Sequence, residues 1–240
     1  MTQQLDILAF GAHPDDVELS CGGTIAKEVS FGKIVGIVDL TRGELGTRGS
    51  ADLRDKEAKQ AASILEVAIR ENLGFRDGFF INDELHQLEI IKILRKYRPK
   101  VVLCNAQTDR HVDHGRAASL IHDASFLSGL RKIETVLNNT PQTPWRPSQV
   151  YHYMQWNNDP CDFVVDISEF IDKKMAAILA YSSQFYDEKS KEPETPISSQ
   201  QFLDSILNRA ADLGRIIGVD FAEGFTTQRQ LAVSQISDLI

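Results

Sequence analysis

The first half of the chain alternates short apolar runs, rich in branched side chains, with longer segments whose apolar residues recur at helical spacing. That rhythm restricts the fold more than any other feature. Leu5–Phe10, Lys33–Leu40, Glu71–Phe75 and Val101–Asn105 read as strands. The intervening helices are expected over Gly22–Phe31 with Gly32 closing it, over Ala51–Leu65, from a cap at Asn82 or Asp83 to Tyr97, and over His114–Leu127. Strands separated in this way form right-handed βαβ units. The expected fold is therefore α/β, a Rossmann-like and mostly parallel sheet flanked by helices.

After residue 136 the order changes. Leu137–Pro147, with three prolines and two asparagines, reads as a loop. Val150–Met154 and Phe163–Ile167 read as further strands, and a helix capped by Ser168 or Asp166 runs to Tyr181. Asp187–Ser199 is polar and broken by proline, the pattern of a functional loop or an oligomer contact. Phe202–Ile217 is the last expected helix, and nothing is assigned beyond Phe221. A chain of 240 residues with 42% hydrophobic side chains can bury one good core. We expect a single domain over 1–240: a core over 1–136, and a smaller C-terminal extension over 137–240 that completes it.

A net charge of −8 argues against nucleic acid or a membrane surface as partner, since both select basic patches. The first residues lack a charged stretch followed by an apolar one, and no apolar run reaches spanning length, so a cytoplasmic location is expected. Cys21, Cys104 and Cys161 are odd in number and contain no CxxC, which excludes a disulfide framework and a zinc ribbon. Cys104 reads as a small buried hydrophobe; Cys21 lies near the clusters described next and is either that or a reactive thiol.

Two clusters carry the chemistry. His13-Pro14-Asp15-Asp16-Val17-Glu18 follows the first strand, and Asp109-Arg110-His111-Val112-Asp113-His114 follows the fourth. Open α/β sheets bind ligands at the carboxyl ends of their strands, where both clusters fall. Pro14 stiffens the first turn. A catalytic zinc takes three ligands from His, Asp or Glu and keeps one position open; His13, Asp16 and His114 supply such a set, leaving Asp15 and His111 for proton transfer. Singly these pieces are weak, because surface Asp pairs face water and HxxH at a helix start usually packs or caps. Together they are costly to explain without a ligand. His86, His122 and His152 read as surface or packing residues.

The His13–Glu18 stretch, the following Cys21-Gly22-Gly23-Thr24 and Arg110–His114 resemble the signature of the PIG-L/LmbE family of zinc-dependent N-deacetylases. The similarity continues through Asp39–Arg48, Asn72–Gly78 and Ser183–Tyr186, covers nearly the whole chain, and resembles the bacillithiol-biosynthesis branch, whose member removes acetate from N-acetylglucosaminyl-malate. The resemblance implies one zinc ion per chain on His13, Asp16 and His114. It makes Asp15 the general base and then acid, and His111 an imidazolium facing the oxyanion. Asp113 either orients His111 or caps a helix. Arg54 and Arg110 are implied for the substrate's hydroxyls or carboxylate, although Arg54 also suits a solvated helix. Glu18 is either a sugar acceptor or structural, and Tyr186 has no assigned role. The implied partner is a small N-acetyl sugar conjugate, with N-acetylglucosamine or chitobiose as alternatives. The implied assembly is a homo-oligomer, a hexamer being one form it takes in the family.

Three rivals are weighed. A dinucleotide oxidoreductase lacks its GxGxxG here, and Asp15-Asp16 would repel the pyrophosphate. A non-haem iron enzyme shares the two-His, one-carboxylate set. A non-catalytic sugar- or metal-binding module would bind without releasing acetate.

Overall fold

The computed structural model describes residues 4–238, so Met1–Gln3, where the segment inspected for a leader begins, lie outside the described residues. Strand β1 (Ile7–Gly11) is buried along its whole length, and its side chains divide by parity between two cores. Ile7 and Ala9 face one core, Leu8 and Phe10 the other. Two-sided burial is why the strand is apolar throughout instead of alternating.

Strand β2 (Val35–Thr41) and strand β4 (Val101–Cys104) pair with β1 in parallel on either side, and β3 (Ile69–Phe75) pairs with β2. The first core is covered by α1 (Asp16–Ser30), α2 (Ala51–Leu65), α5 (Ile171–Leu179) and α6 (Gln200–Ile217). The second lies under α3 (Glu84–Tyr97) and α4 (Val112–Leu127). Asp83 caps α3 by accepting from the His86 N–H, one of the two capping residues expected.

Strand β7 (Gln149–Tyr153) extends the sheet in parallel beyond β4, and β8 (Phe163–Asp166) forms the far edge. Between them runs β9 (Ala222–Thr227), antiparallel to both, giving the order β3-β2-β1-β4-β7-β9-β8. Strands from both halves of the chain thus share one sheet. Within the expected loop, β5 (Val136–Leu137) and β6 (Thr140–Pro141) form a small hairpin whose turn residues Asn138 and Asn139 both have left-handed φ, the geometry of a type I′ turn. Among the described residues no helix is long and apolar enough to cross a membrane.

Helix α1 differs most from expectation. It begins at Asp16 rather than Gly22 and bends at Cys21, whose φ of −140° is not helical. The bend exposes backbone donors that the buried Glu223 carboxylate takes, from Gly23 at 3.0 Å and Thr24 at 2.7 Å. A side chain at Gly23 would meet Ile167 at 2.7 Å, so only glycine packs there.

Candidate active site

The chain leaves β1 through a turn clamped from both neighbouring strands. Ala12 N–H donates to Asn105 Oδ1 at 3.0 Å beyond β4, and Thr41 Oγ1 at the end of β2 donates to the Ala12 carbonyl at 2.9 Å. Asp15 follows with φ 116°, in the region that favours glycine, directly before α1. Its carboxylate makes no capping bond to the helix and instead accepts from Arg54 at 2.6 Å. A strained backbone whose side chain is withheld from the cap is a local cost of the kind that persists at working sites. Burial pushes the Asp15 carboxyl up to about 7, against the pull of Arg54.

The two sequence clusters meet. The rings of His13, His111 and His114 lie within 5.6 Å of one another by centroid, and Asp16 sits among them. His13 Nε2 faces Asp77 Oδ1 at 3.1 Å, while its Nδ1 lies 3.6 Å from Asp16 Oδ2. His114 Nδ1 bonds Asp109, and its Nε2 lies 3.1 Å from Asp16 Oδ1. Each imidazole is therefore anchored to a carboxylate through one nitrogen and turns the other toward Asp16. That is the usual arrangement of metal-ligating histidines, and these residues fit a divalent ion. Two tighter groupings exist among the described residues, His13–His111–His114 and His13–Asp77–Asp113, each with ligand atoms within 4.8 Å of one another.

Without an ion the charges settle among themselves. Burial disfavours the imidazoliums, yet hydrogen bonds to Asp113, Asp16 and Asp77 hold His13 well above its usual value, and Asp16 with Asp109 holds His114 at about 9. Burial likewise opposes ionisation of Asp16, but His114 and His13 hold its carboxyl well below the usual range.

His111 is the N-cap of α4, its Nδ1 accepting from the Asp113 N–H at 3.2 Å. The ring proton then belongs on Nε2. Burial, with His13 and His114 nearby, lowers its pKa, which favours a neutral donor over the expected imidazolium. The Asp113 carboxylate faces His13 Nε2 at 3.4 Å and accepts from Gly78 N–H at 2.8 Å; only its backbone N–H reaches His111. Orientation by Asp113 is thus directed at His13 instead of His111.

A cavity of about 560 Å³ opens over these groups, lined by Arg54 and Arg110 among others. Arg54 is buried rather than solvated. Glu18 is fully buried and bonded to Arg70 and Tyr181, away from the lining. Tyr186 is exposed and outside the lining, whereas Thr195, Pro196 and Ile197 bring the 187–199 segment into the wall. Cys21 is packed in the core, where burial pushes its thiol up, so it offers no thiolate. His86 pairs with Asp83, and His122 stacks on His152, all outside the cavity.

Four polar residues escaped assignment. Asp77 and Asp109 anchor the two histidines, and Asp109 could have been found from its place in the second cluster. Asn105 donates to Asp16 at 3.0 Å, and Gln155 donates to Asp16 at 3.2 Å while accepting from Asn105 at 3.1 Å. Gln155 follows β7 with no local signal that marks it.

Comparison with known proteins gives the family. The family description "PIG-L: GlcNAc-PI de-N-acetylase" matches residues 8–125. The chain is 34% identical over 146 residues, 58% of its length and 75% of the relative's, to an uncharacterized deacetylase, YaiS, of Escherichia coli. It is 30% identical over 189 residues, 75% of its length and 70% of the relative's, to a diacetylchitobiose deacetylase of Thermococcus kodakarensis. A crystal structure of a conserved protein from Thermus thermophilus superposes with a TM-score of 0.84 at 37% identity, covering 96% of this chain and 98% of that one. The chain belongs to the PIG-L family of deacetylases.

Proposed function

We propose that the chain hydrolyses the N-acetyl group of an N-acetylglucosaminyl conjugate, with one zinc ion held by His13, Asp16 and His114. The observation that carries this reading is the pair of carboxylate-anchored imidazoles directed at a single carboxylate. In the rival His13–Asp77–Asp113 grouping both carboxylates lie at His13 Nε2 and neither faces a second imidazole, whereas Asp16 faces His13 Nδ1 and His114 Nε2. They suit holding the ring better than holding an ion.

When bound, the ion would acidify a water and polarise the amide carbonyl. Asp15, buried in the cavity wall and titrating near neutrality, is placed to take a proton from the attacking water and return it to the departing amine. Arg54 keeps that carboxylate in one orientation. His111, with Nδ1 committed to the Asp113 N–H, presents Nε2–H to the oxygen on which charge develops. Acetate leaves with the oxygen of water, and the sugar amine leaves with its proton.

The motif resemblance to the bacillithiol branch favours N-acetylglucosaminyl-malate as substrate. N-acetylglucosamine and chitobiose are the alternatives. Free amine released from each by the pure, zinc-loaded protein tests the proposal. Release from at least one, abolished in Asp15→Asn with zinc still bound, supports it; binding without release would identify a sugar-binding module.

A further inference from the structure

Besides the histidines, four basic side chains among the described residues line the cavity: Arg54, Arg110, Lys174 and Arg209. Two are matched, Arg54 by Asp15 at 2.6 Å and Lys174 by Glu223 at 2.5 Å. The lining carboxylates are engaged as well, Asp16 and Asp77 with His13, and Asp109 with His114. Arg110 and Arg209 remain, and among the described residues neither has a carboxylate within ion-pair distance. In a chain of net charge −8, the unmatched charge of this cavity is cationic.

Both guanidiniums are fixed on Trp156. Arg110, which is exposed, lies over its ring at 4.2 Å, and Arg209, half-buried on α6, donates to its carbonyl at 2.9 Å. Trp156 is itself held, stacked on Phe202 at 5.8 Å, with its N–H and that of Asn157 donated to Asp109 Oδ1 at 3.1 and 3.2 Å. Arg209 loses solvation by burial, offset only in part by the Asp109 charge. A desolvated guanidinium facing an open cavity without a counter-ion is costly unless a ligand supplies one.

The resemblance already implies Arg110 for a substrate carboxylate; we propose that Arg209, held on the Trp156 carbonyl beside it, is a second, specificity-determining contact for an anionic substituent, carboxylate or phosphate, carried by the sugar substrate. The proposal rests on the deacetylase reading of the same cavity. A guanidinium fork matches either anion with two parallel hydrogen bonds. A neutral substituent, such as a second sugar, would leave the half-buried Arg209 charge unmatched. Arg209 then becomes a specificity determinant contributed by the C-terminal helix, far in sequence from both motif clusters.

The test compares kcat/KM for three compounds sharing one sugar: N-acetylglucosaminyl-malate, N-acetylglucosamine 1-phosphate and methyl N-acetylglucosaminide. The first two separate carboxylate from phosphate. The intact protein is expected to prefer one anionic compound over the methyl glycoside, and added salt to shrink the preference. Arg209→Met should reduce that preference by about tenfold or more, chiefly through KM, with Arg209→Lys recovering part of it. A preference unchanged in Arg209→Met, or none in the intact protein, would overturn the proposal. Should no amine appear from any compound, the deacetylase reading fails, and the subsite is judged by Trp156 fluorescence in a Trp145→Phe background. There, binding of the anionic compounds must weaken by about tenfold in Arg209→Met; equal binding overturns the subsite too.

Discussion

Asp15 concentrates the residue-scale argument, being strained at φ 116°, buried, paired with Arg54 and raised to about 7. A carboxyl must be deprotonated to accept a proton, so kcat/KM should rise with pH through about 7 and fall about tenfold per unit below it. A flat profile from about pH 5.5 to 8 would remove Asp15 as base. Asp15→Asn should lower turnover by about 10²–10⁴ while bound zinc is unchanged, as measured by single-turnover assay and metal analysis. His114 predicts the opposite sign for stability. Its folded value near 9 exceeds the free value of about 6.5, so its pairing with Asp16 stabilises the ion-free chain fully below about 6.5 and is lost as pH rises through about 9. Thermal midpoints in chelator should fall across that window. The two clusters were legible because each follows an apolar strand, the first stiffened by Pro14. The direction of the Asp113 carboxylate and the neutral state of His111 were not, since both depend on neighbours brought in by the fold.

At the scale of elements, the bend in α1 is the most informative feature. The start of α1 was misplaced because Gly22-Gly23 looked like an entrance to a helix, when in fact they follow an interior bend whose donors Glu223 satisfies. Nothing near residue 22 announces a carboxylate two hundred positions away. Strand β9 was missed for a related reason: AEGFTT contains a buried Glu and a Gly that packs against Met154, which hides the apolar pattern of a strand. Glu223 also pairs with Lys174 in the core. Glu223→Ala would leave Lys174 and two backbone N–H groups unpaired, a loss of about 3–5 kcal/mol expected in denaturant titration. A loss below about 1 kcal/mol would mean the bend holds itself.

For the whole molecule, the strand order places β1 beside β4 where the chain reverses its direction of sheet growth, so the crevice between them opens at their carboxyl ends. This topology brings His13–Asp16 and Asp109–His114 together although nearly a hundred residues separate them. The alternation of strands and helices made that crevice predictable, and the C-terminal half adds what was not: Gln155 against Asp16, and Trp156, Phe202 and Arg209 on the cavity wall. Those residues lie on elements with ordinary patterns, and only packing gives them a role. The central claim is that a divalent ion is gripped by His13, Asp16 and His114. It is tested most directly by metal content per chain in the intact protein, Asp16→Asn and Asp77→Asn. The account predicts about one zinc per intact chain, loss in Asp16→Asn, and retention with affinity weakened about 10–100-fold in Asp77→Asn. Full occupancy in Asp16→Asn with loss in Asp77→Asn would contradict it and move the ion to the other side of His13.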